Sequence, residues 1–255
     1  MQLKGKVSVV TGAGRGVGRE TAIQLAMAGS RVAINYRRNW SGANQVIEVI
    51  KQNGGDAIAF QADVRDDQQC RKLMNQAAEH FGSLDILVNN AGTTRFIDHA
   101  DLDAVGMDDW DNLFATNVRA VFQCCRAAKP FLDRSRNGEI VNITSTAGIV
   151  ATGSSIPYCA SKAACINLTV TLARVFAPTI RVNSVAPGFI DGEWLKEGLG
   201  DEFAEAREDR ARRNALQKVC QPSDIAQAVV SLIQGSDLVT GQTLVCDGGM
   251  IITPP

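Results

Sequence analysis

A doubly wound α/β fold built on one seven-stranded parallel sheet is predicted from three features of the sequence. Seven short, nearly continuous apolar runs occupy residues 6–11, 31–35, 57–61, 85–88, 139–144, 180–185 and 243–246. Such runs suit parallel strands covered on both faces. Segments with 3.6-residue apolar periodicity lie between them, so strand, helix, strand repeats with right-handed crossovers. A glycine-rich turn joins the first strand to the first helix. A chain of 255 residues suits one large domain spanning 1–255.

Each element has a local reason. The helix after Trp40 is expected to be capped by Ser41, with Ala43, Val46, Ile47 and Ile50 as one apolar stripe, and Gly54-Gly55 to stop it. A later helix opens at Pro222-Ser223 and should bury Ile225, Val229 and Leu232. The charged stretch 193–213 departs from the rhythm and reads as a helical excursion on the surface.

Composition narrows the function classes. Apolar residues make up 45% and charged residues 21%, enough for a sizeable core. Lys plus Arg number 26 against 27 for Asp plus Glu, so no bulk field points to nucleic acid or an anionic membrane. No apolar run approaches the ~18 residues of a membrane span. Residues 1–6 lead directly into a strand, and a cytoplasmic chain without a leader is expected. The seven cysteines lack C-x-x-C spacing and read as reduced, mostly buried thiols. His80 and His99, the two histidines, lie in polar stretches, so neither a metal site nor a histidine triad is expected.

The first strand runs into Thr11-Gly12-Ala13-Gly14-Arg15-Gly16-Val17-Gly18. Glycines permit a sharp turn and close approach to a pyrophosphate, and the helix N-terminus offers free N–H groups. A nucleotide site is therefore expected here. At the end of the second strand an NAD site places an acid for the ribose hydroxyl. This chain has Tyr36 followed by Arg37 and Arg38, and Arg15 of the loop can reach the same place. Cations without a carboxylate favour a 2′-phosphate, hence NADP(H).

Tyr158 and Lys162 stand four apart and share a helix face. A free phenol has a pKa of ~10; bringing it near neutrality needs roughly 4 kcal/mol, which a neighbouring ammonium and an oxidised nicotinamide can provide. Tyr158 is then a general acid/base for a carbonyl/alcohol pair. Ser145 ends a strand at the sheet edge where such folds bind ligands, and Asn117 sits on a helix.

Together these motifs resemble the short-chain dehydrogenase/reductase family, a Rossmann fold. The glycine loop matches T-G-x-x-x-G-x-G, and Asn89-Asn90-Ala91-Gly92, Asn117, Ser145, Tyr158-x-x-x-Lys162 and Pro187-Gly188 follow in the family's order. Among subfamilies, bacterial 3-oxoacyl-acyl-carrier-protein reductases are most similar, including the Asp247-Gly248-Gly249-Met250 ending. The resemblance implies that Asn117, Ser145, Tyr158 and Lys162 form a catalytic tetrad, with Asn117 holding a relay water and Lys162 the nicotinamide ribose. It implies that Gly12, Gly16, Val17, Gly18, Asp63, Val64, Asn90, Ala91, Gly92, Pro187, Gly188 and Ile190 bind the cofactor, and that the protein is a homotetramer paired through the helix around 121–131 and the apolar ending 250–252.

The pattern also departs from the family. Gly192 stands where the family commonly has a Thr after Pro187-Gly188. The stretch between Gly92 and Asn117 is longer and carries Phe96, His99 and Asp101 near the expected substrate mouth. Arg136 matches one carrier-docking position, but Thr179 stands at another, which counts against an acyl-carrier-protein partner. Residues 191–214 are expected to form a lid, with Trp194, Leu195, Leu199 and Phe203 lining the substrate and Glu205, Arg207, Glu208, Arg210 and Arg212 facing water. Three functions stay open. The leading one is NADPH-dependent reduction of a small-molecule ketone, free or thioester-linked. The others are NAD(P)-dependent oxidation of a sugar, steroid or ring-diol alcohol, and nucleotide sensing without catalysis.

Overall fold

The computed structural model describes residues 1–135 and 137–253. Seven strands, β1 (Val7–Val10), β2 (Arg31–Tyr36), β3 (Ala57–Gln61), β4 (Ile86–Asn89), β5 (Gly138–Ile143), β6 (Ile180–Pro187) and β7 (Thr243–Cys246), form one parallel sheet in the order 3-2-1-4-5-6-7. Every predicted strand is present, with ends displaced by at most two residues.

Helices cover both faces. On one lie α1 (Gly16–Met27), α2 (Trp40–Gln52) and α10 (Pro222–Gln234), packed through Leu25, Ile50 and Val229. On the other lie α3 (Asp67–Phe81), α5 (Ala120–Leu132) and α7 (Ile156–Phe176), packed through Leu73, Cys124 and Leu172. The stripe Ala43, Val46, Ile47, Ile50 is buried as expected. Its helix is capped by Asn39 rather than Ser41: the Asn39 carboxamide accepts from the Gly42 N–H at 2.9 Å, because the helix starts one residue earlier. Gly54, at φ +77°, closes that helix with its N–H on the Lys51 carbonyl. In α10, Ile225 and Val229 are buried, while Leu232 is only partly buried and Ile233 takes the core position.

The chain runs outward from β1 to β3, then returns to place β4 on the other side of β1. That reversal opens a crevice at the carboxyl ends of β1 and β4, where open α/β sheets bind ligands. Two further helices border it, α4 (Met107–Phe114) and α8 (Glu193–Leu199), while α6 (Ala147–Val150) and α9 (Phe203–Arg213) lie by an adjoining cavity. Among the described residues no helix is long and apolar enough to cross a membrane. The seven cysteines are free thiols, six of them buried.

Candidate active site

The glycine loop is fastened from below by polar side chains of the strand ends. The Thr11 hydroxyl accepts from the N–H groups of Asn90 and Ala91, each at 3.0 Å, and the Asn90 amide donates back to the Thr11 and Gly12 carbonyls at 2.9 and 3.1 Å. Buried Asn35 accepts from the Gly12 N–H at 3.2 Å and donates to the Ala62 carbonyl at 3.1 Å, tying loop, β2 and β3 together. Gly12 has φ +62°, and a Cβ there would lie 2.9 Å from the Ala91 backbone. Gly16, at φ +56°, has nothing within 4 Å of its missing Cβ, so the loop faces open space at the N-terminus of α1. Gly18 has a different role from the one expected. It does not line the crevice; a side chain there would overlap the Asn90 amide, so this glycine serves helix packing.

From this loop a cleft of about 900 Å³ runs along the crevice. Gly12, Arg15, Gly16, Val17, Tyr36, Arg37 and Arg38 line one stretch, and Asp63, Val64, Asn90, Ala91 and Gly92 the middle. Ser145, Tyr158, Lys162, Pro187, Gly188 and Ile190 line the far stretch, together with Gly192. The volume is within the range of sites for cofactor-sized ligands.

The charges differ in detail from the sequence expectation. Arg37 and Arg38 are exposed on the cleft wall, but Arg15 reaches across to α8 and grips Glu197 at 2.7 and 2.9 Å. Asp63 is engaged by Arg65, whose nearest nitrogen lies 2.6 Å away, and lies 4.0 Å from Arg37. The Arg65 bonds hold the Asp63 carboxyl below the usual carboxylate range despite partial burial. Arg65, absent from the expected site, adds a cation to the wall.

The chemical groups converge between β5 and α7. Ser155 caps α7 by accepting from the Tyr158 N–H, and Pro157 stands in its first turn. Tyr158 and Lys162 then project from one helix face, with the Lys162 Nζ 5.7 Å from the centre of the Tyr158 ring. That Nζ donates to the Ile143 carbonyl at 2.9 Å, and burial lowers its pKa. Burial pushes the Tyr158 phenol up to about 12, against a hydrogen bond with Ser145 that pulls the other way. Without the nicotinamide charge that the acidified phenol was expected to need, desolvation dominates at this side chain.

Asn117 is buried, on a π-helical turn, Ala115–Arg119, between α4 and α5. Its Oδ1 accepts from the Thr93 N–H at 2.9 Å, and its Nδ2 donates to the Thr93 carbonyl and Ser161 hydroxyl, both at 3.0 Å. With both amide hydrogens committed, this side chain positions the Gly92–Thr93 backbone rather than lining the cleft. Such π turns often mark functional sites, but nothing in the sequence signals one.

Beyond Tyr158 lies a second cavity of about 510 Å³, whose wall is mainly apolar but includes Asp98, His99 and Arg210. Thr94, Ser145, Tyr158, Gly188, Trp194 and Leu195 line both spaces, so the phenol stands where they meet. Trp194 meets the Tyr158 ring edge-on at 6.4 Å. Leu199, Phe96 and His99 line the cavity, whereas Phe203 packs on Phe189 at 5.9 Å and Asp101 accepts from the Ala104 N–H. The five charges expected in water are all exposed, and two of them also make local contacts: Arg207 bonds Asp191 at 2.7 Å, and Arg210 borders the cavity. Of the carrier-docking positions, Arg136 lies outside the described residues and Thr179 donates to Asp133 at 2.8 Å.

This geometry has known counterparts. The family model described as enoyl-(acyl carrier protein) reductase matches residues 12–251. A 3-oxoacyl-[acyl-carrier-protein] reductase of Staphylococcus aureus is 40% identical over 247 residues, 96% of this chain and 98% of its own. The chain belongs to the short-chain dehydrogenase/reductase family. It is thus an oxidoreductase acting on CH–OH or keto groups. Solved short-chain dehydrogenase/reductase structures superpose along nearly its whole length. A 7α-hydroxysteroid dehydrogenase complexed with NADH and 7-oxo glycochenodeoxycholic acid has a TM-score of 0.89 at 33% identity, covering 97% of this chain and 95% of that one. A short-chain dehydrogenase of Burkholderia cenocepacia in complex with NADP has a TM-score of 0.88 at 36% identity, covering 98% and 100%.

Proposed function

We propose that this short-chain dehydrogenase/reductase reduces a ketone with NADPH, the substrate being a 3-oxoacyl thioester or a similar medium-sized carbonyl compound. The observation that carries the reading is the position of Tyr158 and Ser145 at the junction of the long cleft and the apolar cavity. A substrate carbonyl in the cavity then meets a hydroxyl pair while its carbon faces the cleft. The 40% identity to a 3-oxoacyl reductase supports the substrate class.

The residues present fit the dinucleotide. The open space over Gly16, the free N–H groups of the first turn of α1 and the length of the cleft suit a pyrophosphate and its two nucleosides. Arg37 and Arg38 would hold a 2′-phosphate, with Arg15 as a third cation once it leaves Glu197. When bound, the nicotinamide supplies the hydride and, once oxidised, a positive charge that favours the phenolate.

For reduction, Tyr158 has the proton the alcohol oxygen needs, since a phenol held near 12 stays protonated at neutral pH. Ser145, which lines the same junction as that phenol, orients the substrate oxygen. Lys162, anchored on the Ile143 carbonyl, lies close enough to stabilise charge left on the ring and to hold ribose hydroxyls. Asn117 fixes the Thr93 backbone and, through Ser161, the helix that carries Tyr158. Run in reverse, the same groups oxidise a secondary alcohol. The apolar cavity and the likeness to a hydroxysteroid dehydrogenase favour this as the second reading. A sensing role without catalysis leaves the cavity beside Tyr158 without a purpose.

In this reading residues 1–255 form one domain with a lid at about 191–214, in a cytoplasmic homotetramer. Phe122, Val170 and Ile252 remain exposed on the single chain and would supply apolar contact area. Tyr158→Phe is expected to reduce turnover of a carbonyl substrate at least a hundredfold, general acid–base transfer being worth about 10²–10⁴. NADPH binding, followed by fluorescence titration, should be retained; undiminished turnover would overturn the mechanism.

A further inference from the structure

The cavity beyond Tyr158 holds a charge that carbonyl reduction does not use. Phe96, Phe189, Leu195, Leu199 and Met250 give it an apolar lining, and Ser145 and Tyr158 mark its boundary with the cleft. Arg210, on α9, borders this cavity and takes no part in the cleft. Its neighbours on the same helix are all paired: Arg207 with Asp191 at 2.7 Å, and Arg212 and Arg213 with Asp209 at 2.9 and 3.0 Å. Among the described residues the Arg210 guanidinium has neither an ion pair nor a hydrogen bond, so the one arginine of α9 facing the cavity is also the one left uncompensated.

A second donor lies in the same wall. His99 borders the cavity but not the cleft, and its Nε2 is buried without a hydrogen-bond partner. Buried polar atoms are seldom left so, and a ligand group is one of the few things that relieves them. The carboxylate on this wall, Asp98, does not neutralise Arg210. Its Oδ1 instead accepts from the Ala100 N–H at 2.9 Å, closing its own turn.

We infer that the substrate is a ketone with an apolar body and an anionic group remote from the carbonyl, bound by Arg210 with His99 as an auxiliary donor. This rests on the ketone-reductase reading above and narrows its substrate class. Arg210 is exposed where it borders the cavity, and its guanidinium presents several donors in one plane, which suits a carboxylate or a phosphate. A neutral ketone of the same shape fills the apolar walls but leaves Arg210 unpaired. Arg210 thus sets specificity without taking part in proton or hydride transfer.

Matched substrates test this, with NADPH consumption as the readout. One pair is a cyclic oxo-carboxylic acid and its methyl ester; the other is a 3-oxoacyl pantetheine thioester with and without its terminal phosphate. In at least one pair the anion should have a KM lower by about tenfold, the range of a charge-assisted hydrogen bond from an exposed guanidinium. Arg210→Ala should erase that preference, Arg210→Lys retain part of it, and Asp98→Asn leave it intact. In all three, kcat for the neutral partner and the Kd for NADPH should stay unchanged, which separates a specificity role from a folding defect. Which pair responds identifies the source of the anion. Equal KM values within both pairs, or a preference that survives Arg210→Ala, overturn the inference while turnover of the neutral ketones leaves the reductase reading standing. Failure of every ketone to consume NADPH overturns both.

Discussion

Arg37 illustrates how one side chain bears on cofactor choice. It stands exposed beyond β2 where an NAD site would carry an acid, and the nearest carboxylate, Asp63, is already engaged by Arg65. Arg37→Ala is therefore expected to weaken NADPH binding about tenfold while leaving NADH nearly unaffected, as loss of a charged hydrogen bond to phosphate costs. Isothermal titration with both nucleotides checks it, and equal affinities in the starting protein would remove the argument. Tyr158 shows the limit of reading residues in isolation. Spacing places a lysine beside the phenol, yet in the folded chain burial pushes the phenol up, a direction that spacing along a helix does not reveal.

Helices α8 and α9, which form the lid in the proposed reading, are held partly by polar contacts. Arg15 and Glu197 join residues 182 apart in sequence, yet their side chains are 48% and 59% exposed. Such exposed pairs are worth about 0–1 kcal/mol, so this one is a weak tie between α8 and the glycine loop. Asp191 holds Lys196 and Arg207 at the lid base. Phe96 packs so closely on Gly198 that any side chain there would overlap its ring. Glu197→Gln should loosen α8 and free Arg15 for the cofactor. Amide exchange in residues 193–199 is expected to quicken, and the Kd for NADPH to fall by up to about fivefold, with little change in melting temperature. Unchanged exchange would mean that apolar contacts alone seat the lid.

For the molecule as a whole, the edge of the sheet opposite the crevice carries a pH-dependent term. Glu139 is buried at the start of β5 and pairs with Arg181 of β6 at 2.6 Å, with Oε2 left unpartnered. Burial, only partly offset by Arg181, pushes its pKa up to about 8. Below the ordinary glutamate value both folded and unfolded chains hold the proton; between there and about 8 only the folded chain does. Stability is thus full in acid with respect to this group and is lost as pH rises through that window. Glu139→Gln should flatten the slope of melting temperature against pH between roughly 5 and 8, by about 1–3 kcal/mol over the range. A slope identical to that of the starting protein would show that Glu139 stays ionised when folded.

The same molecule shows why some features were legible in sequence and others were not. Strands covered on both faces must be apolar throughout, so all seven could be read from local composition. The order of motifs likewise brought Gly12, Asn90, Ser145, Tyr158 and Gly188 to one crevice, because they sit at strand ends or helix starts that the topology aligns. Partners distant in sequence were not legible. Gly18 turned out to pack against Asn90, Arg15 to hold Glu197, Asn117 to brace Thr93, and Asn35 and Arg65 to join the site unannounced. Arg210 read as a water-facing charge and came to border a cavity as well, whereas His99 lines that cavity as its place near the expected substrate mouth suggested. What the amino-acid order determined by itself was the pattern of burial and the chemistry at each strand end, since both follow from neighbours along the chain. Only the tertiary structure decided which charges are paired, which are left open and how far burial shifts a proton, because those depend on groups that folding brings within a few ångströms.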